Sequence, residues 1–332
     1  MDLIRTDIYG RELGYVMNTN IDFEVGEEND SINDFEVEYK RFDWTGEVQI
    51  GCRMFSPNTE YGGIVRHIAT DTKANTVKAK GYTWRGMMTK KVIEPPSGAA
   101  YATDNGELNS IIKKRVESAF PGLFYGTEKS TGVTVDFQYD RYCTLHEGLV
   151  EMLKSAGYRL DIRYMQGATN EIGWVQVQAV PIVDFSEEYE FSEDNNMHFT
   201  MDDNKGGVNH LICLGKGELQ NRLVIHLYTD SSGKIGTKQY YKGVDEISEV
   251  YDSSGSERDD LLANGKKKLE EEKSKTEYNM TMEKIDGNID IGDIVGGRDY
   301  LMGVSVKKPI DRKIWTISYG EEKIEYKLKG EN

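Results

Sequence analysis

Residues 21–25, IDFEV, place Ile21, Phe23 and Val25 on one face of an extended chain and Asp22 and Glu24 on the other. Residues 35–39, FEVEY, repeat the pattern, with Phe35, Val37 and Tyr39 opposite Glu36 and Glu38. A side-chain period of two marks half-buried antiparallel strands, apolar inward and polar outward. Further strands are expected at 47–55, 62–70 and 76–84, the last two joined by the polar turn DTKAN. Many short antiparallel strands between turn residues point to a small barrel or sandwich.

At Pro95-Pro96 the pattern changes. A capping box pairs a side-chain acceptor at a helix start with a Glu or Gln three residues on, which returns the hydrogen bond. Asp104 with Glu107 predicts a helix over about 105–119, stopped by Pro121-Gly122. Thr144 with Glu147 predicts a second over 145–157, burying Leu145, Leu149, Met152 and Leu153. Strands at 133–139, 158–165 and 173–182 surround these helices, so 96–185 reads as a small α+β domain. Period two returns at 210–215 and 221–230, and again in DIVGG, LMGVSVKK, KIWTISYG and EKIEYKLK towards the C terminus. A helix over 254–276 interrupts these strands, with Ser254 and Glu257 as its cap and few apolar positions, which places it on the surface. The expected organisation is mainly β with an α+β insertion: all-β units over 1–95 and 186–332 flank 96–185, with a surface helix near 255–276 in the second.

Charge narrows the function classes. The 332 residues hold 41 Lys+Arg against 57 Asp+Glu, a net charge of −16. Phosphate polyanions repel such a surface, so neither specific nucleic-acid binding nor binding to anionic membranes is expected. Residues 21–39 and 184–203 each carry eight acids and no Lys or Arg. Cys52, Cys143 and Cys213 form no CxxC and read as reduced thiols of a chain folded in a cytoplasm. The N terminus has no apolar signal core, and no run approaches the ~18 apolar residues of a membrane helix.

Catalytic patterns fail one by one. The stretch IDIGDIVGGRD (289–299) invites a phosphate-loop reading. That loop needs G-x-x-x-x-G-K-[ST] and a following helix. Gly215-Lys216 and Gly233-Lys234 are followed by Gly and Ile, and 289–299 runs on into strand. Gly296 and Gly297 are therefore expected at a tight connection between strands, with positive φ. His146-Glu147 opens like H-E-x-x-H, but position 150 is Val, and the capping role accounts for Glu147. The five histidines form no i, i+4 pair, no G-x-S-x-G occurs, and S-x-x-K appears only in turns or strands, at Ser231/Lys234 and Ser305/Lys308. No catalytic, cofactor-binding or metal-ligating residue is assigned, and a non-enzymatic chain without a cofactor is expected. Carboxylate pairs for glycoside hydrolysis are invisible in sequence, and a solvated acidic face is the better account of 57 acids.

The run KGYTWRGMMTKKVIEPPSG (80–98) resembles the end of the first barrel in tail-tip baseplate hub proteins of bacteriophages and defective prophages, relatives of the hub part of tail-associated lysins. NHLICLGKGELQNRLVIHLYTD (209–230), YYKGVDEISEVYD (240–252), the helix with GKKKLEE, and DIGDIVGGRDYLMGVSVKKPIDRKIWTISYG (290–320) fall in that family's order. The resemblance covers nearly the whole chain and is most specific over 209–320. It implies two small tube-type β-barrels, over 1–95 and 186–332, flanking a peripheral α+β domain, and three chains closing a ring. Such a homotrimer would join the tail tube to the tip or spike and line the DNA channel of a virion tail tip or tailocin particle, assembled in the host cytoplasm. Its partners would be tail-tube or distal-tail proteins, the tape-measure protein and a tip or spike protein. The alternatives are a tail-associated cell-wall hydrolase and a receptor- or carbohydrate-binding tip protein. Some relatives carry lytic or receptor-binding modules in C-terminal extensions; the sequence stops at Asn332, so that activity is expected on another protein.

Overall fold

Where alternation is strict, the chain is sheet. In a computed structural model describing residues 1–27, 32–168, 172–187, 190–191, 197–283, 289–299 and 303–328, the strand Thr19–Gly26 buries Ile21, Phe23 and Val25. The strand Asp34–Lys40 buries Phe35, Val37 and Tyr39 and pairs with it antiparallel, so that the Phe23 and Phe35 rings stack with centroids 4.9 Å apart.

Alternation is weaker where the strand expectations shift. The span 47–55 contracts to Arg53–Phe55, and 62–70 divides into Gly62–Ile64 and His67–Asp71. The chain leaves one sheet for another there. Gly63 passes so close to Thr76–Tyr82 that a Cβ on it would lie 2.2 Å from the Tyr82 carbonyl. That strand ends before Trp84, where a one-turn helix not expected from the sequence, α1 (Trp84–Met88), starts on a Thr83 cap.

Two compact units emerge, and they divide the chain differently from the composition break at 95–96. The first joins Met1–His198 with Met280–Lys329, and the second spans Phe199–Asn279. In the first unit a long antiparallel sheet runs in the order Glu321–Leu328, Val304–Ser318, Thr19–Gly26, Asp34–Lys40, Thr76–Tyr82, His67–Asp71. A four-stranded sheet holds Glu12–Tyr15, Ile4–Thr6, Arg53–Phe55 and Gly62–Ile64. Among the described residues no sheet closes on itself, so the mainly β expectation stands while the two closed barrels do not appear. The physical reason is that alternation reports which face is buried, not what covers it. Here the apolar face of 19–26 is continued by the C-terminal strand, with Phe23 opposite Trp315. The segments LMGVSVKK and KIWTISYG are likewise one strand, Val304–Ser318, rather than two. Pro309 is tolerated in it because it sits where pairing passes from Ile294–Asp299 to Glu321–Leu328.

Helix α2 (Leu108–Ala119) is capped by Glu107, whose carboxylate accepts from Ser110 N at 2.8 Å. Asp104 is not the cap. It lies in the strand Thr103–Glu107, pairs with Lys114 and Arg115, and accepts the Tyr139 hydroxyl at 3.0 Å. Helix α3 (Leu145–Ser155) keeps both bonds of the Thr144–Glu147 box, at 3.1 and 2.7 Å. Its buried Leu149, Met152 and Leu153 share one core with Ile4, Phe55, Trp84 and Met88.

The second unit is a four-stranded sheet, in the order Ile235–Gly236, Val224–Thr229, His210–Leu214, Ser248–Asp252, covered on one face by α4 (Arg258–Glu272). Leu261 and Leu269 of the helix pack with Leu211, Cys213 and Leu227. The helix is shorter than expected, Glu257 occupies its cap position without a side-chain bond, and Ser254 takes no part.

Candidate functional site

The face of the long sheet turned away from the core carries the acids singled out in the sequence. Asp22 is exposed, and Glu24, Glu36 and Glu38 are half-buried on the side opposite Phe23, Phe35 and Val37. Cross-strand register brings cations to them that the stretch 21–39 lacks. Glu36 lies opposite Lys80 and Glu38 opposite Lys78. Lys78 Nζ reaches Glu36 at 2.5 Å and Glu38 at 3.2 Å, Lys80 also pairs with Glu36, and Arg312 Nη1 reaches Glu24 at 3.2 Å. The face is therefore a mixed surface with a net acidic excess, not a bare acidic one.

Two acids stay outside this pairing. Partial loss of solvent raises the Asp22 carboxyl above its usual range, and repulsion from Glu24, Asp34 and Glu36 adds to the shift. Asp34 is raised for the same reasons, with Lys80 opposing. For Glu36, desolvation works upward, but the hydrogen bonds from Lys78 and Lys80 outweigh it and hold the carboxyl low. An acid raised in the folded state favours folding only while protonated, so its charged form at neutral pH costs stability. Asp22→Asn should therefore stabilise the chain at pH 7 by about 0.2–1 kcal/mol, the size of a like-charge cross-strand contact. The gain should vanish below the pKa of a free carboxyl, and urea unfolding at pH 7 and pH 3 checks both. The second acidic stretch is represented by Asp184, whose ion pair with Lys307 and bonds from Ser186 hold its carboxyl down to about 2. The side chains of 188–203 lie outside the described residues.

Beneath the sheet lies a buried ionic lattice. Arg85 and Glu60, 1% and 2% exposed, meet at 2.5 Å, with a second contact at 3.2 Å. Glu60 also faces Lys313 at 3.6 Å, and Lys313 pairs with Asp290. Arg85 Nη1 lies 3.4 Å from His146 Nε2 at the start of α3. Arg159 contacts Asp293 at 2.9 Å, and Asp293 also accepts Val183 N and Asp290 N, both at 3.0 Å. The lattice thus joins residues from 60 to 313. Burial and the Arg85 charge both push His146 well below the usual histidine range, so it is neutral at pH 7.

Among the described residues the remaining candidates form no recognisable catalytic arrangement. His210 Nδ1 meets Glu246 at 2.6 Å and Ser248 Oγ at 3.1 Å, while Nε2 meets His226 at 2.8 Å. A serine triad needs the hydroxyl and the carboxylate on opposite ring nitrogens, and here they share one. Among the described residues no group of three or more His, Cys, Asp or Glu could hold a metal ion. Gly296 and Gly297 lie inside the strand Ile294–Asp299 without positive φ, contrary to the expected turn. The positive-φ glycines are Gly292 and Gly303 on either side, and Gly296 is needed because a Cβ there would lie 2.8 Å from the Ser186 carbonyl. A strand follows, so the stretch lacks the helix a phosphate loop requires.

No protein-family model matches the chain, and no curated protein matches it either. Among solved structures, the 43 kDa tail protein of prophage MuSo2 from Shewanella oneidensis aligns at a TM-score of 0.51 and 12% identity, over 99% of this chain and 98% of that one. A tail protein from Neisseria meningitidis aligns at 0.46 and 12% identity, over 100% and 96% of the two chains. A prophage tail protein from Listeria monocytogenes aligns at 0.47 and 10% identity, over 100% and 95%. The first likeness extends end to end and establishes that this chain has a phage-tail-protein fold.

Proposed function

We propose that the chain is a structural baseplate or tail-tip hub protein of a phage-like particle. The observation that carries this is the end-to-end likeness to the prophage tail protein, with neither chain left substantially uncovered. In this reading three copies form a ring between the tail tube and the tip or spike. Segments 1–95 and 186–332 supply the ring, and 96–185 lies at its periphery. Tube or distal-tail proteins, the tape-measure protein and a tip protein are its neighbours, and it acts without a cofactor or catalysis.

The polar face of the long sheet suits the wall of a DNA channel. Passing DNA must not be held, and free Lys or Arg would hold its phosphates. On this face Lys78, Lys80 and Arg312 pair with Glu24, Glu36 and Glu38, while Asp22 and Asp34 have no ion pair among the described residues. Asp22 and Asp34 are thus the positions to reverse, because the ion pairs are left in place. Particles carrying Asp22→Lys with Asp34→Lys should assemble normally and eject DNA more slowly, with the delay deepening at low salt. Normal assembly with unchanged ejection would remove the channel assignment, and a particle map with six copies in the ring would remove the trimer.

A further inference from the structure

A cleft of about 630 Å³ opens in the second unit, between the turn Asp230–Gly233, the loop 241–247 and residues 273–275 after α4. Its size falls in the ~300–1,000 Å³ range of small-ligand sites. The walls are held in place by side-chain bonds to backbone. Asn209, buried at the base, donates to the Asp245 carbonyl at 2.7 Å and accepts from Ile247 N at 2.9 Å. Asp230 Oδ1 accepts from Ser232 N, Ser232 Oγ and Lys234 N at 2.8, 2.6 and 3.1 Å. Lys273 Nζ donates to the Gly233 carbonyl at 3.2 Å, tying the turn to the end of the helix. A ligand entering this cleft meets walls already ordered, which lowers the entropy lost on binding.

The groups left free define the ligand. Among the described residues the Lys275 ammonium and the Asp245 carboxylate have no ion-pair or hydrogen-bond partner, and the hydroxyls of Ser231 and Ser274 are likewise unengaged. Tyr241 lines the cleft with its ring braced edge-on by Tyr240 at 5.0 Å, and Val244 stands 99% exposed on the rim. An ammonium only donates, a carboxylate only accepts, and a sugar hydroxyl does both. An aromatic ring and an aliphatic side chain present the apolar surface that the C–H face of a pyranose needs. Lys205 and Lys273 also line the cleft but are already engaged, so a polyanion would meet one unpaired ammonium beside Asp230 and Asp245, and a wholly apolar ligand would leave Lys275 without a partner. We propose that this cleft is a carbohydrate-binding site for a short oligosaccharide, with Lys275 and Asp245 on neighbouring hydroxyls and Tyr241 against the ring. The inference stands on the second unit alone and does not depend on the hub reading.

Saturation-transfer NMR on the purified full chain tests it, with the methyl glycosides of glucose, galactose, mannose and N-acetylglucosamine as probes. At least one should bind saturably. Tyr241→Ala should abolish that binding and Tyr241→Phe should keep it. Lys275→Gln should weaken it about tenfold, the effect of one charged hydrogen bond. If Tyr241→Ala proves unfolded in a thermal melt, Lys275→Gln decides. The proposal is overturned if no glycoside saturates, if Lys275→Gln leaves binding unchanged, or if inorganic sulfate displaces the sugar completely, which would make the cleft an anion site.

Discussion

Arg85→Ala should lower the unfolding free energy of the first unit by about 3–5 kcal/mol, the usual cost of removing one partner of a buried ion pair. The pair is nearly sealed from water, with Arg85 and Glu60 exposed by 1% and 2%. Deleting the guanidinium leaves the Glu60 carboxylate buried, with Lys313 at 3.6 Å as its remaining ion-pair partner among the described residues. Lys313 is itself paired with Asp290, so it compensates only in part. The loss is larger than that of any surface pair on the polar sheet face, where exposed ion pairs contribute about 0–1 kcal/mol. The pair need not be the most stable solution for this site. Replacing both charges, as in Glu60→Gln with Arg85→Met, should cost less than Arg85→Ala alone, because no uncompensated charge is left behind. Tryptophan emission in urea reads this unit selectively, since Trp44, Trp84, Trp174 and Trp315 all lie within it. A loss below 1 kcal/mol for Arg85→Ala would show that water reaches Glu60.

Local signals were legible in the sequence and distant ones were not. The Thr144–Glu147 box could be read because both partners sit within one helical turn. The faces of 21–25 and 35–39 could be read because a strand repeats every two residues. Asp104 has the same local look as Thr144, yet it serves Lys114, Arg115 and Tyr139, the last 35 residues away. The run 21–39 looked purely acidic because its cations arrive from 78, 80 and 312 by sheet pairing. The same limit applies to the barrels. A stripe of Ile21, Phe23 and Val25 predicts a buried face, but only the fold shows that Trp315 extends it from the neighbouring strand. No spacing rule connects Glu60, Arg85, His146 and Lys313, so the ionic lattice had no sequence signal at all. The cleft of the second unit was equally hidden, since Asn209, Tyr241 and Lys275 come together only through the sheet and the turn beside it.

His146 gives the lattice a dependence on pH whose sign can be worked out. Its neutral ring is held beside Arg85, with Nε2 as the acceptor at 3.4 Å, and it is 1% exposed. In the unfolded chain it regains the ordinary histidine range, near 6.5. A base whose folded pKa is depressed contributes stability that is present above the unfolded value and is lost as pH falls below it. Between pH 6.5 and 5.5 the unfolded chain takes up a proton that the folded chain refuses, so stability should fall by approaching about 1.4 kcal/mol per pH unit. Carboxylates of the unfolded chain titrate at about 4, below this window, and the comparison with a variant lacking the imidazole isolates the histidine contribution. Among the histidines whose side chains are described, His146 is the one buried beside a fixed positive charge. His146→Gln keeps an acceptor for Arg85 and removes the titration. Its unfolding free energy, followed by tryptophan emission, should therefore be flatter across pH 6.5 to 5.5 than that of the parent chain. Equal slopes for the two proteins would mean that His146 is protonated in the folded chain and that Arg85 finds its second partner elsewhere.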